Sequence, residues 1–483
     1  MTTIRPAVLA MLAAATTLAG SAHAQAQAPA QAPPPDTAMM ADVRAAFLHA
    51  WNGYATNAAG HDALRPISGE PHDWYDVSLF MTPVDAYDTM LLMGLDDAAA
   101  EAKAMVMDGL SFDQDMDVQV FEVVIRLLGG LLSAYQMDGD GRWLDLAVDL
   151  ADRLMPAFDS PTGMPFRYVH LRTGATRDPL NNPAEIGTLM LELGTVSKIT
   201  GDPKYYDAAK EAMRQVWQRR SSLGLVGEVI DVRMGEWENP ASHMGGRIDS
   251  WYEYLLKAWL LFGDDDFRTI YEESIAAVNA HVADERFDGL WYGRVHMDTG
   301  ERLATTFGAL EAFMPAMLVL GGDTTRAAAL QENVERMWFL HGIEPEQLDY
   351  SSMEVTSPGW PLRPEAIESC YYLFRTTGDE RWRDLGRRMF ESIVEHTRVE
   401  HGFAHVADVT TIGSGGSGER SASGAPADSG PSGPTGVALD DAMESFFLAE
   451  TLKYAWLLAA PASTLAFDEV VFNTEAHPLR RFR

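Results

Sequence analysis

The chain has 483 residues, of which 37 are basic and 70 acidic, so its formal net charge is −33. A hydrophobic fraction of 47% is that of a globular protein and excludes a disordered chain, and so acidic a protein is a poor partner for nucleic acid, which binds basic surfaces. The single cysteine, Cys370, excludes an intramolecular disulfide and any cysteine-based zinc or iron–sulfur site.

The first residues have the features of a secretory signal. Arg5 supplies the positive end, residues 7–19 are a short apolar stretch, and Ala22-His23-Ala24 has the small-x-small form of a cleavage site. We predict an exported protein, periplasmic or secreted; the alternative is an unusual N-terminal helix. No membrane anchor is expected, because no later apolar run reaches about 18 residues. The predicted organisation is a signal peptide over 1–24, an Ala/Gln/Pro-rich linker over 25–36 and one folded domain over 37–483.

The folded part contains a repeat in which an apolar, helix-period run ends in Gly-Asp or a close variant and an amphipathic helix follows. Glycine commonly ends a helix and aspartate commonly caps the next one, so the repeat predicts helical hairpins. The aspartates of six turns, 44 to 62 residues apart, are Asp96, Asp140, Asp202, Asp264, Asp323 and Asp379. Residues 444–458 predict a seventh first helix, with Ala-Ala-Pro in place of the turn.

The two helices of each hairpin differ in pattern. The first is apolar nearly all round and should be buried, whereas the second is amphipathic and should lie outside. This predicts a closed helical toroid; an open solenoid would leave the inner faces wet. Residues 224–230 and 289–293 predict β-hairpins at one end. The Gly/Ser/Pro-rich stretch at about 413–436 predicts a surface loop inside the domain.

Each of the first six inner helices carries a carboxylate near its predicted start. If these helices run parallel in a toroid, the acids gather at one mouth, where they could hold a cation and perform acid–base chemistry. The six acids are Asp85, Glu122, Glu185, Asp249, Glu311 and Glu365.

Structural roles compete with this interpretation. Three acids fit capping boxes that begin at Thr82, Asn182 and Asp441, and Asp249 could be an N-cap. Glu122 has Arg126 four residues on, which predicts a salt bridge, but a carboxyl in so apolar a helix could also be a general acid. Two glutamates three residues apart, Glu365 and Glu368, need a cation, an arginine or a proton between them, unless the helix dipole alone stabilises them.

The ordered motifs along the chain resemble those of glycoside hydrolase family 47, the inverting, calcium-dependent α-1,2-mannosidases. The matching segments are ALRPIS (63–68), VDAYDTMLLMGL (84–95), VFEVVIRLLGGLLSAY (120–135), PAFDSPTGMP (156–165), DSWYEYLLKAW (249–259), LRPEAIES (362–369), MESFFLAETLKYAWLL (443–458) and FNTEAHPL (472–479). The resemblance implies an all-α fold, the (α/α)7 barrel, which agrees with the seven units.

The resemblance also implies roles for particular residues. Glu122 matches the family's proposed general acid, Asp249 a second acid considered for that role through water, and Glu365 the proposed general base. Thr474 matches the Ca²⁺ ligand, with waters and sugar hydroxyls completing the shell. The acids that hold those waters and sugar hydroxyls match Glu185, Glu368, Glu450 and Glu475. Arg247 and Phe446 match family residues that contact the terminal mannose, and Arg126 is a further predicted substrate contact.

The implied activity is removal of terminal α-1,2-linked mannose from N-glycans or mannans by a monomer. Residues 306–315 lack the histidine motif of many processing mannosidases and are closer to the branch associated with degradation of misfolded glycoproteins. The alternative is therefore a protein of the same fold that binds mannose glycans or glycoproteins, with weak or altered-linkage hydrolysis. An (α/α)6 epimerase or phosphorylase fits poorly because of the seventh unit and FNTEAHPL.

Overall fold

A computed structural model describes residues 34–412 and 436–482. The predicted signal peptide and nearly all of the linker and of the insertion at about 413–436 lie outside these residues, so those assignments stay predictions.

The described residues form seven helical hairpins arranged in a ring, which confirms the (α/α)7 barrel. The inner helices are Met81–Met93, Val120–Asp138, Pro183–Gly187 with Met190–Thr200, Asp249–Phe262, Leu310–Phe313 with Met314–Leu320, Glu365–Thr377, and Phe447–Thr451 with Leu452–Ala459. The outer helices are Asp96–Gly109, Gly141–Leu154, Lys204–Gln218, Asp265–His281, Thr324–Trp338, Glu380–Thr397 and Thr37–Asn57.

The seventh hairpin joins the two ends of the chain. The last inner helix packs against Thr37–Asn57, the first helix in sequence, and the backbone N–H of Asp36 donates to the carbonyl of Ala459 (2.8 Å). The Asp36 side chain in turn accepts the N–H of Met39 and caps the N-terminal helix. The ring is therefore closed by residues about 400 positions apart in sequence.

Burial separates the two helical layers as the apolar patterns predict. Gly141–Leu154 buries Trp143, Ala147, Leu150 and Leu154 on one face, at helical spacing. By contrast, Val120–Asp138 is buried nearly all round over its middle part, because other inner helices and the C-terminal hairpin surround it. Within the described ranges this is the one helix long and apolar enough to cross a membrane, and 72% of its apolar window is buried inside the barrel.

The Gly-Asp turns form largely as predicted. Glycines directly after five inner helices have left-handed backbones, for example Gly139 (φ 79°) and Gly263 (φ 69°). The following aspartates accept backbone N–H groups of the outer helices at Asp140, Asp202, Asp264, Asp323 and Asp379. Asp96 is the exception: it lies in the first turn of its helix and does not cap it.

Of the predicted capping boxes, only the one at Asn182 caps its helix, by accepting the N–H of Glu185 (2.9 Å). Thr82 lies inside a helix that begins at Met81, and its hydroxyl donates to the carbonyl of Asp62. Asp441 instead accepts N–H groups of the segment near residue 67. Asp249 is the first residue of its helix, after the N-cap position.

Short antiparallel sheets lie between outer helices and the next inner helices, so they decorate the end at which the inner helices begin. The strands at this end are Ala63–Arg65, Glu70–His72, Asp117–Gln119, Tyr168–His170, Thr176–Arg177, Leu180–Asn181, Val229–Asp231, Glu236–Asn239, Ala241–Ser242, Ala283–Arg286, Gly289–Tyr292, Arg294–His296, Arg302–Ala304, Thr306–Gly308, Gln347–Asp349, Glu354–Ser357, His405–Asp408 and Ala438–Asp440. Gly289–Tyr292 is a hairpin strand as predicted. The predicted strand at 224–230 is shorter, because only Val229–Asp231 pairs.

A last hairpin, Val470–Phe472 with Pro478–Arg480, follows the final inner helix. Its connecting turn, residues 473–477, is buried inside the barrel between inner helices. The turn therefore closes the barrel and forms the bottom of the opening at the other end.

Candidate active site

The barrel opens at the sheet-bearing end into a cavity of about 240 Å³. Every side chain to which the family resemblance assigned a role lies on its wall. These residues are Glu122, Arg126, Glu185, Arg247, Asp249, Glu365, Glu368, Phe446, Glu450, Thr474 and Glu475. They come from five inner helices or the segments before them and from the C-terminal turn, so the fold brings residues together that are up to 353 positions apart in sequence.

Negative charge dominates this cavity. Its wall carries eight carboxyl groups and three arginines; the acids are Glu122, Glu185, Asp249, Glu253, Glu365, Glu368, Glu450 and Glu475, and the arginines are Arg126, Arg247 and Arg363. Two more cations behind the wall, Arg167 and Lys257, pair with Glu185 and Glu253. The acids still outnumber these cations by three, so the cavity needs bound protons or a cation to be stable.

One wall is organised around Arg126. Its Nε donates to Glu122 (3.0 Å) and its Nη1 to Glu475 (2.8 Å), so the predicted i,i+4 salt bridge is present and links the wall to the floor. The guanidinium lies between the rings of Trp74 and Phe446, 5.0 and 5.6 Å from their centroids. These contacts leave Arg126 a single orientation and hold Glu122 at the edge of the cavity.

The helix that carries Arg126 is irregular at this place. Val123–Leu128 is π-helical, as is Phe447–Thr451, which carries Glu450. These two inner helices flank Met81–Met93 on either side. A π-helical turn widens the helix and changes the direction of its side chains, and such turns are frequent at functional sites. Here both turns carry charged side chains of the cavity.

Glu365 lies on another wall, at the start of its helix. Its Oε2 is buried without a hydrogen-bond partner in the described structure. Burial raises the pKa of its carboxyl to about 8; Arg363 opposes the shift, while Glu346 and Glu368 reinforce it. Arg363 is itself held by two hydrogen bonds to Glu346 (2.7 and 3.2 Å). In its ionised form this carboxyl, with one oxygen free, can accept a proton from a bound water.

Asp249 begins the next acidic group. Burial raises the pKa of its carboxyl to about 6, and the nearby Glu253 adds to the shift although Ser250 donates to the carboxylate. Glu253 is paired with the buried Lys257, four residues on. Lys257 also lies 4.0 Å from Glu368, whose pKa is raised to about 7 by burial. The positive charge of the buried Lys257 therefore lies close to two carboxyl groups of the cavity, Glu253 and Glu368.

The floor of the cavity is the turn at residues 473–477. Asn473 shapes this turn, because its Oδ1 accepts the N–H groups of Glu475 (3.0 Å) and His477 (2.8 Å). Its Nδ2 donates to Ile125 O and to Glu192 (both 2.8 Å). The N–H of Thr474 donates to Tyr254 Oη (3.2 Å), so Thr474 reaches the cavity on a fully hydrogen-bonded loop.

Beneath the floor lies a charged network that is entirely buried. Lys453 Nζ donates to Asp88 and to the carbonyl of Ala476, at 2.7 Å each. His477 contacts Asp88 (2.7 Å) and Asp85 (3.3 Å). Burial alone would lower the pKa of His477, but Asp88 and Asp85 raise it to about 9, so the ring is a cation. Two cations thus neutralise two aspartates and hold the turn from below.

Two acids expected at the mouth lie elsewhere. Asp85 belongs to the network under the floor and does not line the cavity. Glu311 lies behind the loop at residues 245–247, where a Cβ on Gly245 would be 2.3 Å from its Oε1. The helix that was expected to run through 306–315 begins later, with a strand Thr306–Gly308 and a short 3-10 turn, and this moves Glu311 off the wall.

The cavity residues are suited to a hard cation. The wall near Thr474 offers only oxygen donors, and burial together with repulsion from Glu475, Glu365 and Glu368 raises the pKa of Glu450 well above its usual range. A cation would remove this repulsion, and Ca²⁺ prefers such oxygen ligands. In the residues that the structure describes, no three His, Cys, Asp or Glu side chains are placed to ligate a metal directly.

Sequence reasoning missed several residues of the site. Glu253 and Lys257 follow Asp249 at intervals of four, a spacing that places all three on one helical face. Arg363 stands two positions before Glu365 in a matched motif. The role of Lys453 had no such signal, because its partner Asp88 is 365 residues away.

Glu311 gives a test of stability against pH. Burial raises the pKa of its carboxyl from 4.5 to about 7, with help from Asp249 and Glu346. The fold therefore favours the neutral acid, and stability should fall as pH rises from about 4.5 to 7, on the order of 3 kcal/mol for this group. Glu311→Gln should reduce this fall in urea unfolding curves. Glu354→Gln, at an exposed position, should leave the pH dependence of stability as in the parent. The same pH dependence in the parent and in Glu311→Gln would contradict the prediction.

Comparison with known proteins gives one consistent result. The sequence profile of Glycosyl hydrolase family 47 matches residues 46–481. Alpha-mannosidase I MNS4 of Arabidopsis thaliana is 36% identical over 459 residues, which cover 91% of this chain and 69% of the relative. ER degradation-enhancing alpha-mannosidase-like protein 2 of Homo sapiens is 35% identical over 472 residues, with 90% and 76% covered. A solved alpha-1,2-mannosidase from Trichoderma reesei superposes with a TM-score of 0.82 at 27% identity, covering 93% of this chain and 100% of the other.

Proposed function

Because the chain belongs to glycosyl hydrolase family 47 and is a glycosidase of the α-1,2-mannosidase type, we propose that it removes terminal α-1,2-linked mannose from N-glycans or mannan-type oligosaccharides, with inversion and with Ca²⁺. The observation that carries the proposal is the gathering of eight carboxyl groups around one cavity with a closed floor.

The shape of the cavity supports exo action. The floor at residues 473–477 is held in place by Lys453, which bonds the carbonyl of Ala476, and by the contact of His477 with Asp88. The barrel is therefore closed at this end, and a sugar chain can enter from the other end only. A chain that enters a closed cavity presents its terminal residue to the deepest groups. Thr474 and Glu475 on the floor would then meet the terminal mannose.

The acids of the walls supply the two functions that an inverting glycosidase needs. One carboxylic acid protonates the leaving oxygen while a carboxylate on the other face of the sugar activates water. Glu365 has a free buried oxygen and is our candidate for the base. Glu122, oriented by Arg126, is our candidate for the acid, with Asp249 the alternative through a water.

The cation would be held by Thr474, with Glu368, Glu450 and Glu475 acting through waters. When bound, Ca²⁺ would supply charge compensation among the acids and a template for sugar hydroxyls and water. The protein's own part is independent of the ion: Arg126 fixes Glu122 and Glu475, and Lys257 stabilises Glu253 and Glu368. A monomer without a membrane anchor remains our prediction for the working state.

The proposed activity is tested by incubating the purified protein with α-1,2-, α-1,3- and α-1,6-linked mannobioses, with and without EDTA. We expect mannose from the α-1,2 isomer, β-mannose as the first anomer by NMR, loss of activity with EDTA and recovery with Ca²⁺. Glu365→Gln protein prepared in parallel excludes a contaminating mannosidase. No release from any isomer with Ca²⁺ would refute the proposed activity. α-Mannose as the first product would refute the inverting mechanism but not the activity. Activity that persists in EDTA would refute the dependence on Ca²⁺ but not the activity.

Export is a separate proposal, supported by the charged end, apolar stretch and Ala22-His23-Ala24 of the N-terminus. Expression of the full gene should give a mature protein whose first residue is Gln25. The intact mass of the purified protein measures this directly, and a chain that keeps residues 1–24 would contradict export.

A further inference from the structure

Arg247 differs from the other charged groups of the cavity in its position. Its side chain is 58% exposed, whereas the acids of the floor and of the deeper wall are buried. Arg247 thus lies at the mouth, above the groups of the floor, whereas the resemblance implied a contact with the terminal mannose. At the mouth an entering chain would place the sugar next to the terminal residue. Its backbone is left-handed (φ 80°), which is unfavourable for a residue with a side chain, and its carbonyl accepts the N–H of Ala184 (2.9 Å).

The guanidinium of Arg247 is held by Glu228. Its Nη1 donates to Glu228 Oε1 at 3.1 Å. Glu228 precedes the strand Val229–Asp231, and its side chain is only 12% exposed. A salt bridge to one well-ordered partner restricts a long side chain that would otherwise sample many rotamers.

The other oxygen of Glu228 is occupied by donors that do not line the cavity. Oε2 accepts from Arg294 Nη2 (3.0 Å) and Asn239 Nδ2 (3.1 Å), and the buried His243 Nε2 lies 3.4 Å away. Oε1 thus contacts a cavity residue and Oε2 contacts side chains behind the wall, so the carboxylate connects Arg247 to this network. Hydrogen bonding to His243 and the charges of Arg294 and Arg247 lower the pKa of Glu228 to about 2, although burial opposes this.

His243 ties the same network to the loop that carries Arg247. Its Nδ1 accepts the N–H of Gly245 (3.1 Å), two residues before Arg247. The ring is buried, and burial lowers its pKa, so it remains neutral. Glu228 therefore contacts Arg247 directly, while its neighbour His243 shapes the loop that begins at Met244 and ends at Asp249.

We propose that Glu228 is a positioning residue that holds Arg247 at the mouth of the cavity and thereby sets the affinity for the sugar next to the terminal mannose. The proposal rests on the proposed function, because it takes a mannose disaccharide as the ligand. Neither Glu228 nor His243 lines the cavity, so the effect is transmitted through Arg247.

Kinetics of Glu228→Gln on α-1,2-mannobiose test the proposal. Loss of a charge-assisted contact predicts a KM raised about tenfold, with kcat changed far less. Asp231→Asn is the matched control: Asp231 is three residues away and bonds the exposed Arg233, outside the cavity, so its KM should equal that of the parent. An unchanged KM in Glu228→Gln would overturn the proposal.

A double-mutant cycle separates positioning from a general structural effect. If Glu228 acts through Arg247, Glu228→Gln should change KM little in an Arg247→Ala background. Equal effects in both backgrounds would overturn the proposal. If the glutamine variant does not fold, Glu228→Asp takes its place in the cycle, because it keeps the negative charge in the buried network and shortens the reach toward Arg247 by one methylene; the same two outcomes apply.

A crystal structure of Glu228→Gln provides a readout that needs no catalysis. We expect the Arg247 guanidinium to leave its place or lose density, while Asp249 and the helix it begins stay in place. An Arg247 that keeps its position would overturn the proposal even if the parent enzyme were inactive. Failure of the parent enzyme to release mannose would refute the proposed function. The structure of Glu228→Gln tests only whether Glu228 positions Arg247, so failure of one proposal can be distinguished from failure of the other.

Discussion

Replacing Glu365 by glutamine should lower kcat on α-1,2-mannobiose by about 10²–10⁴, because an amide cannot take a proton from the attacking water. Binding should change less, since glutamine keeps the size and the hydrogen-bonding oxygen of the side chain. The measurement is kcat and KM from initial rates of mannose release. Glu354→Gln, an exposed change on a strand at the same end of the barrel, is the control and should match the parent.

A small nucleophile identifies the base more directly. Azide needs no deprotonation, so it should restore turnover to Glu365→Gln and give β-mannosyl azide, but it should not help a variant that lacks the acid. Full activity of Glu365→Gln, or rescue of every variant by azide alike, would contradict the assignment of Glu365.

The acid can be identified in the same way, by varying the leaving group. A dinitrophenyl α-mannoside needs little protonation, so the variant that lacks the acid should keep most of its turnover on this substrate and lose it on mannobiose. We expect only one of the two variants, Glu122→Gln or Asp249→Asn, to keep its turnover on the dinitrophenyl mannoside while losing it on mannobiose. The variant that does so has lost the carboxyl that protonates the leaving oxygen. If neither variant discriminates between the substrates, both assignments are wrong.

Lys453→Met should destabilise the fold by about 3–5 kcal/mol, because it leaves the buried Asp88 without one of its two cations. The lysine is fully buried and methionine has a similar length, so packing changes little while the charge and two hydrogen bonds are lost. The free energy of unfolding from urea curves measures the effect. Ca²⁺ affinity should fall too, because Ala476 belongs to the same turn as Thr474.

A second change makes this prediction specific to charge. Adding Asp88→Asn to Lys453→Met removes the carboxylate that has lost one of its two cations and should recover part of the lost stability. Lys204→Met, which breaks an exposed pair with Asp152, is the control and should unfold like the parent. If Lys453→Met alone were as stable as this control, the buried ion pair would be dispensable and the prediction would be wrong.

The sequence was most informative where a pattern is local. The Gly-Asp turns and the contrast between apolar and amphipathic helices predicted the hairpins, and the acids near the helix starts predicted the mouth. The predicted caps at Asp96 and Thr82 were wrong, because a cap depends on the residue at which the helix begins. A shift of that residue by one or two positions changes the role of the side chain. The roles of Glu122, Asp249 and Glu365 stay predictions, although the structure places all three on the cavity wall.

Other features of the site have no local signal. The π-helical turns at Val123–Leu128 and Phe447–Thr451 depend on how neighbouring helices pack, and nothing in their composition marks them. Contacts such as Lys453 with Asp88 or Arg126 with Glu475 join residues hundreds of positions apart. Glu311 was expected at the mouth because its place in the repeat matches that of the other acids, yet the local backbone before Met314 moves it behind a loop.

The seventh hairpin pairs the first described helix with the last inner one, and the floor of the cavity comes from residues 473–477. Because these residues follow the other hairpins in sequence, a nascent chain can neither close its ring nor form the cavity floor until they are synthesised. Contacts between segments this far apart in sequence make the closure slow. A chain that stops before residue 473 would therefore lack both the floor and Thr474, and we expect it to have no catalytic activity.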